Sequence, residues 1–333
     1  MYPQTQSIQE PGRQVGRIQA LDIARGLALL AMAAYHFTWD LEFFGYTDPG
    51  MTAVGGWKLF ARCIATSFLF LVGVSLYLAH GNGIRWKGFW RRLAMIAGAA
   101  LAISLVTYIA VPGGFIFFGI LHQITLASVL GLLFLRLPAL LTLALAAAVI
   151  AAPSFLRSSF FDHPAWWWVG LSSSNPRSND YVPLFPWFGA VLAGIALTRL
   201  AASAGLLTRL AGMQAGFWSR PFILAGRHSL AFYLVHQPVL IALLWLFSQV
   251  VPAQVQTQEV RFRQSCEATC EQTRDAEFCV RYCACMLDTL EKDDSLNQLF
   301  AGNETAELRS RIEESAGLCT VTADEQAIEE GTP

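Results

Sequence analysis

The chain has 333 residues, of which 54% are hydrophobic and only 14% charged, and its mean hydropathy is +0.44. These values are typical of a membrane protein and exclude an ordinary soluble globular domain; we expect a lipid bilayer and no nucleic acid among its partners. The net charge of −1 hides a division, because residues after 252 carry 7 Lys/Arg against 17 Asp/Glu, whereas the preceding part carries 16 against 7. A basic membrane body over 17–252 is therefore predicted to precede an acidic tail.

The chain begins with a polar segment, 1–16, which we expect to be a disordered cytoplasmic N-terminus and not a cleavable signal. Apolar segments of roughly bilayer length follow at 20–38, 57–80, 90–111, 115–135, 138–152, 183–200 and 222–251. The predicted fold class is therefore all-α, a polytopic membrane helix bundle of about seven transmembrane helices, with six or eight as alternatives.

The first apolar segment carries four polar groups, Asp22, Arg25, His36 and Asp40. At about 100° per residue these positions fall within roughly 60° of one another, so they share one face of a helix. Ionisable groups at membrane depth are costly, and we expect this face to line a polar cavity. Internally paired charges in a structural seam are the alternative, but four such groups, one of them a histidine, favour a functional site.

The distribution of Lys and Arg predicts the orientation in the membrane. The segment after the first span, DLEFFGYTDPGMTAVGG, contains acids and no Lys or Arg, whereas the segment before 90–111 is rich in them. The N-terminus is therefore predicted to lie inside, and an odd number of spans places the tail outside. We expect a bacterial inner (cytoplasmic) membrane protein with a periplasmic or extracytoplasmic tail.

The tail carries six of the seven cysteines, and we divide it into a helical hairpin, 253–319, and a disordered end, 320–333. Two pairs of cysteines are each spaced four residues apart, which places both members on one helix face. Two such helices packed antiparallel favour the pairs Cys266–Cys283 and Cys270–Cys279, which leaves Cys285–Cys319. Six cysteines permit fifteen connectivities, so the pairing is a hypothesis. A metal site is the alternative, but it lacks a nearby histidine and CxxC spacing, and we expect disulfides and no metal.

Further polar residues lie in the later spans. His122 and Gln123 lie in the fourth, where a histidine is more often a satisfied core residue than a catalyst. The last span, with Arg227 and His236, is predicted to form a second wall of the cavity. Trp187 opens the sixth span, where it allows close packing or the approach of a ligand. Trp167 lies in the loop before it, either in an interfacial aromatic belt or in a platform that stacks a sugar. We expect Trp187, Trp167 and His236 to bind the substrate.

The polar residues of the first span suggest different chemical roles at its two ends. Arg25 lies eleven residues before His36, roughly 16 Å along a helix. Arginine binds phosphate well because it is permanently charged and bidentate. Histidine transfers protons near neutral pH, and Asp40 one turn later is placed to fix its tautomer. This pattern fits transfer of a group from a cytosolic phosphorylated carrier to an acceptor outside.

Four motifs carry a resemblance that covers most of residues 17 to 245: ALDIARGLALLAMAAYH, FGILHQI, PWFGAVLAG and GRHSLAFYLVHQP. In this order they resemble bacterial relatives of heparan-α-glucosaminide N-acetyltransferase, within a broader group of integral-membrane acyltransferases. The resemblance implies an acyl-CoA donor, usually acetyl-CoA, a sugar or glycan acceptor across the membrane, and a site that includes Arg25 and His36. Some relatives carry a histidine after the first span, but 41–56 contain none, so His36 or His122 takes the role of base.

The leading hypothesis is therefore a membrane acyltransferase. Arg25, with Arg227, holds the phosphates of acetyl-CoA, and His122 or Gln123 donates to the developing oxyanion. Two alternatives stay open: a transporter or flippase that uses the polar face as a path, and a scaffold whose tail binds an envelope protein.

Overall fold

The computed structural model describes residues 18–213, 215–253, 257–301 and 305–330. Within these ranges every regular element is an α- or 3₁₀-helix and no strand occurs, which confirms the all-α prediction. The predicted disorder of 1–16 lies outside the described residues.

The membrane body contains ten α-helices among its described residues. They are α1 (Gln19–Phe43), α2 (Gly55–His80), α3 (Trp86–Ala110), α4 (Ile120–Gly131), α5 (Ala139–Ala151), α6 (Pro153–Leu156), α7 (Leu184–Ser203), α8 (Leu206–Gly212), α9 (Arg220–Arg227) and α10 (Ser229–Val250). The tail follows as α11 (Gln258–Cys270), α12 (Ala276–Lys292), α13 (Ser295–Phe300) and α14 (Ala306–Glu330).

Five of these helices, α1, α2, α3, α7 and α10, are long and apolar enough to cross a membrane. Two shorter apolar helices, α5 and α4 with its 3₁₀ extension to Phe134, account for the remaining predicted segments. Large apolar side chains stay exposed on the outer faces of the long helices, for example Leu101 at 68% and Leu105 at 63%. Such surfaces are suited to lipid.

The last predicted span, 222–251, is wrong at its start, because it is two helices. The short helix α9 ends at Arg227, and α10 begins at Ser229, with His228 between them outside helical geometry (φ −107°, ψ 31°). Arg227 therefore belongs to α9 and not to the long final helix. Hydropathy missed the break because the apolar residues of α9 continue almost directly into α10.

The chain divides into two compact units, one comprising residues 1–30 and 66–232 and the other 31–65 and 233–333. In the first unit, α2 and α7 approach closely through glycines. A Cβ atom at Gly73 would overlap the Val191 carbonyl oxygen, and one at Gly194 would overlap the Phe70 carbonyl oxygen. Side chains are absent where these two backbones meet, as is common in membrane helix pairs.

The tail is part of the second unit and is held by three disulfides. They are Cys266–Cys283, Cys270–Cys279 and Cys285–Cys319, with Cα–Cα distances of 5.8, 5.6 and 5.6 Å. These are the predicted pairs. Helix α14 continues to Glu330 through the first part of the segment predicted to be disordered, 320–333, and its Ala323 is only 1% exposed in the tail core. Residues 331–333 lie outside the described residues.

Candidate functional site

The first unit contains a charged group of four side chains that we call the ion cluster: Asp22, Arg25, Ser75 and Arg227. Arg25 Nη1 donates to Asp22 Oδ1 at 3.1 Å, and Arg25 Nη2 donates to Ser75 Oγ at 2.6 Å. Arg227 Nε lies 3.8 Å from Asp22 Oδ2. Asp22 is 2% exposed, so the cluster compensates a carboxylate that is removed from solvent.

Two glycines bring the partners of this cluster together. A Cβ at Gly226 would overlap the Asp22 carbonyl oxygen, and one at Gly26 would overlap the Phe222 carbonyl oxygen. Helices α1 and α9 therefore meet backbone to backbone, and Arg227 follows its contact glycine directly. Gly226 in the GRHS motif therefore allows the close packing of α9 on α1, and this packing places Arg227 near Asp22.

A basic cavity of about 330 Å³ lies between α2 and α3 in the same unit. Its polar lining includes His80, Arg85 and Arg92. Arg85 Nε donates to the Ala79 carbonyl oxygen at 3.1 Å, and within the described residues neither arginine forms an ion pair. Uncompensated guanidinium groups beside a cavity are suited to phosphate, and sequence reasoning noticed them only as markers of the cytoplasmic side.

The second unit holds two imidazoles side by side. The ring centroids of His36 on α1 and His236 on α10 are 5.1 Å apart, with the rings at 64°. His236 Nδ1 lies 2.7 Å from the Tyr233 carbonyl oxygen. Since a carbonyl oxygen only accepts, Nδ1 carries the hydrogen, and in the neutral ring Nε2 keeps a basic lone pair. The structure therefore joins one predicted catalytic residue to one predicted substrate-binding residue.

Asp40 lies one helical turn after His36 and is 0% exposed. Its Oδ1 accepts a hydrogen bond of 2.6 Å from Gln237 Nε2. Gln237 directly follows His236, so this contact joins the same two helices, α1 and α10. The expected role of Asp40 in fixing the tautomer of His36 stays a prediction. We call these four residues, His36, Asp40, His236 and Gln237, the histidine cluster.

His122 has a structural use that explains its position. Gly119 N–H donates to His122 Nδ1 at 3.2 Å, so the hydrogen lies on Nε2, which is 3.1 Å from Ser104 Oγ. Ser104 Oγ in turn donates to the Ile116 carbonyl oxygen at 2.6 Å. The imidazole thus closes the N-terminus of α4, and its catalytic role stays a prediction without support from these contacts.

Gln123, the next residue, contrasts with His122. It is 0% exposed, and neither its Oε1 nor its Nε2 has a hydrogen-bond partner among the described residues. Because buried amides are almost always hydrogen-bonded, this side chain is a good candidate for contact with a ligand. Its predicted role as an oxyanion donor is compatible with this environment.

Trp167 is anchored in the loop before α7. Its Nε1 donates to the Asp162 carbonyl oxygen at 2.9 Å, and its ring lies 5.3 Å from that of Phe117. Hydrogen bonds from Ser172 and Ser173 lower the pKa of Asp162 and keep the carboxylate ionised at the turn of this loop. Trp187 is partly buried near the start of α7. The sugar-binding roles of both tryptophans stay predictions.

A larger cavity, about 600 Å³, lies in the second unit beside the loop after α1. Its lining includes Trp39, Phe43, Thr47 and, from the first tail helix, Arg261. The Trp39 and Phe43 rings are stacked at 5.6 Å, which gives one wall an aromatic surface. No local sequence pattern indicates this cavity, because its walls are distant along the chain.

The fold and these clusters define a polytopic helical membrane protein with a polar, histidine-containing site among apolar helices. A family model for heparan-alpha-glucosaminide N-acetyltransferase, catalytic, matches residues 17–238, about two thirds of the chain. The chain belongs to this family, and the predicted resemblance is confirmed. Comparison with curated proteins and with solved structures gives no match. The match includes every residue of the ion and histidine clusters and excludes the tail, so the membrane body is that of a membrane acyltransferase family.

Proposed function

We propose that the protein transfers an acyl group, preferentially acetyl, from cytosolic acyl-CoA to a sugar or glycan on the outer side of a bacterial inner membrane. Membership of the acyltransferase family supports the reaction class. The excess of Lys and Arg on one side supports an inward N-terminus and an outward tail. The observation that carries the proposal is the pair of imidazoles, His36 on α1 and His236 on α10. Their ring centroids are 5.1 Å apart, on two helices that are mostly apolar.

The imidazoles supply the base. An acceptor hydroxyl or amine gives its proton to His36, and its oxygen or nitrogen forms a bond to the thioester carbonyl carbon. The carbon–sulfur bond then breaks, and the departing CoA thiolate takes a proton. His236, whose Nε2 keeps a lone pair, shares the proton with its neighbour. We favour direct transfer, and an acyl-histidine intermediate is the alternative.

The donor requires cations for its phosphates. Arg25 and Arg227 remain the proposed anchors, although both also contact Asp22. The basic cavity with Arg85 and Arg92 adds two guanidinium groups that form no ion pair within the described residues. A diphosphate and a 3′-phosphate together present more charge than one arginine compensates, so a donor site with several arginines is physically reasonable. Gln123 is proposed to donate to the thioester oxygen as charge develops there.

The acceptor is proposed to enter through the larger cavity. Its stacked Trp39 and Phe43 rings offer an apolar face for a sugar ring, and Arg261 and Thr47 offer donors to sugar oxygens. Trp167 and Trp187 are retained as proposed contacts with the acceptor. Because Arg261 belongs to α11, this proposal gives the tail a part in shaping the acceptor entrance.

The test is thioester cleavage by purified protein in nanodiscs, with acetyl-CoA and a panel of sugar and glycan acceptors. His36→Ala is expected to reduce turnover by about 10²- to 10⁴-fold, the usual contribution of a general base. His163→Ala, in an exposed loop, is the matched control and should retain activity. Full turnover in His36→Ala would remove the assigned role. Gradient-driven uptake of a sugar into liposomes without acylation would instead favour a transporter.

A further inference from the structure

The contact between Asp40 and Gln237 leaves two hydrogen-bond acceptors without donors. Asp40 Oδ2 and Gln237 Oε1 are both buried, and neither has a hydrogen-bond partner among the described residues. Their neighbours Asp40 Oδ1 and Gln237 Nε2 are joined at 2.6 Å. The pair is therefore half satisfied, and buried acceptors left in this state are costly.

The orientation of the Gln237 amide follows from chemistry. A carboxylate only accepts hydrogen bonds, so the amide nitrogen must face Asp40 and the amide oxygen must point elsewhere. Turning the amide over would place two oxygens together. The two side chains therefore cannot satisfy each other, and the missing hydrogens must come from another group.

The residue before Gln237 also presents an acceptor. The adjacent His236 has its Nδ1 hydrogen directed to the Tyr233 carbonyl oxygen, which leaves Nε2 as a lone-pair nitrogen. A ligand group that fits beside these atoms must bring hydrogens. Hydroxyl and ammonium groups do so, whereas a phosphate or carboxylate does not.

We propose that Asp40 and Gln237 are positioning residues that bind the hydrogen-bond donors, hydroxyl or ammonium, of the acceptor's reacting end beside the histidines. This inference rests on the proposed function and gives Asp40 a partner other than the His36 ring. Asp40 Oδ2 and Gln237 Oε1 accept hydrogens either from hydroxyls that neighbour the reacting hydroxyl or from the ammonium group. The ammonium first releases one proton to solvent, and the resulting amine keeps two hydrogens, one of which passes to His36 as nitrogen attacks. These contacts orient the nucleophilic atom toward the imidazoles.

The sharpest variant is Asp40→Asn. An amide at position 40 supplies the donor that a carboxylate lacks, so this new amide and that of Gln237 can donate to each other and close the pair internally. The variant is expected to fold at least as well as the native protein while losing its capacity to accept hydrogens from a ligand. The new amide of Asp40→Asn would donate to Gln237 Oε1 in the same way that a protonated Asp40 carboxyl would, with no ligand present.

The experiment uses the full chain in phosphatidylcholine nanodiscs, with D-glucosamine and D-glucose as probes of ammonium and hydroxyl groups. Binding is measured by saturation-transfer NMR without acyl-CoA, and transfer is then measured with acetyl-CoA. Asp40→Asn is expected to weaken probe binding at least tenfold and to raise the acceptor KM more than it lowers kcat, with no fall in melting temperature. Asp288→Asn, exposed on α12, is the matched control. If Asp40→Asn fails to fold, Gln237→Met tests the same contact, because it removes the Gln237 Oε1 acceptor and should also weaken probe binding.

The outcomes separate this inference from the proposed function. Native-like binding and KM in Asp40→Asn, or no binding of either probe by the native protein, would overturn the positioning role; ordered water or a bound proton would then account for the two acceptors. Loss of probe binding in a protein that makes no acylated product would leave the inference standing and reject the proposed function. Preferential loss of glucosamine binding would assign the ammonium, and equal loss would assign the hydroxyls.

Discussion

Helix α1 supplies an acid to each of two polar clusters, and these clusters differ in how completely they are satisfied. In the ion cluster, Asp22 has guanidinium partners on both carboxylate oxygens, Arg25 at 3.1 Å and Arg227 at 3.8 Å. In the histidine cluster, Asp40 has an amide on one oxygen and no partner within the described residues on the other. Both acids are almost completely buried, at 2% and 0% exposure.

The difference shows that buried charge alone does not mark a reactive site. Asp22, whose two carboxylate oxygens both lie near guanidinium groups, joins helices and fixes their packing. Asp40, which has one buried oxygen without a donor among the described residues, is the acid that we propose binds a ligand. We therefore expect changes in the ion cluster to affect folding first and changes in the histidine cluster to affect chemistry first.

The largest expected effect on stability lies in the tail. The tail belongs to the same compact unit as the histidine cluster, but it lies outside the residues that match the family model, 17–238. Replacing Cys285 and Cys319 by serine opens a loop with a sequence separation of 34. The cost to tail unfolding is about 4 kcal/mol by the loop-entropy relation. Opening Cys270–Cys279, with a separation of 9, is the matched control and should cost about 1 kcal/mol less.

Hydrogen exchange of α12 and α14, followed by mass spectrometry, measures these changes. Acyl transfer by the Cys285/Cys319 variant should stay within about twofold of the native rate, because Cys266–Cys283 and Cys270–Cys279 still join α12 to α11, the helix that carries Arg261 at the acceptor cavity. A large loss of transfer would show that the Cys285–Cys319 disulfide is also needed to hold the proposed acceptor entrance in shape.

The sequence predicted the parts of this molecule that depend on local periodicity. The seven apolar segments follow from segment length, and the family resemblance follows from motif order. Two of the disulfide pairs follow from i, i+4 spacing, and Cys285–Cys319 is the pair that remains. It also predicted that His36 and His236 lie on two walls of one polar cavity. The structure places the two rings 5.1 Å apart, and the shared cavity stays a prediction. The break at His228 and the helical end of α14 were missed, since neither has a strong local signal.

Partner identity was less predictable. Sequence alone assigned Arg25 to phosphate, but which cation contacts Asp22 depends on the glycine contact of α1 with α9. The use of His122 as a cap depends on Ser104 in another helix. The partner of Asp40 likewise came from α10. Such pairings depend on tertiary packing, and a single sequence gives the residue types without the partners.

Removing Asp22 should have the next largest effect. Asp22→Ala leaves Arg25 and Arg227 without their shared carboxylate, and breaking a buried pair costs roughly 3–5 kcal/mol. Arg25 is 24% exposed, so we expect the low end, about 3 kcal/mol. Thermal unfolding in nanodiscs measures the loss, and Asp48→Ala, exposed in the loop after α1, is the control. If Asp22→Ala melted normally but failed to bind acetyl-CoA, the ion cluster would be a donor site and not a packing device.

The smallest effect is expected for Arg227→Gln, and it tests whether the ion cluster is only structural. Arg227 is 45% exposed and 3.8 Å from Asp22 Oδ2, so solvent screens the pair and its loss should cost about 0–1 kcal/mol. A structural role predicts a slightly lower melting temperature and an unchanged KM for acetyl-CoA. A phosphate-binding role predicts the reverse, a normal melting temperature with a raised KM. Arg209→Gln is the matched control, since α8 contributes to neither cluster. The structural role changes the melting temperature and the binding role changes the KM for acetyl-CoA. These two measurements therefore decide whether Arg227 compensates the Asp22 carboxylate or binds the phosphates of the donor.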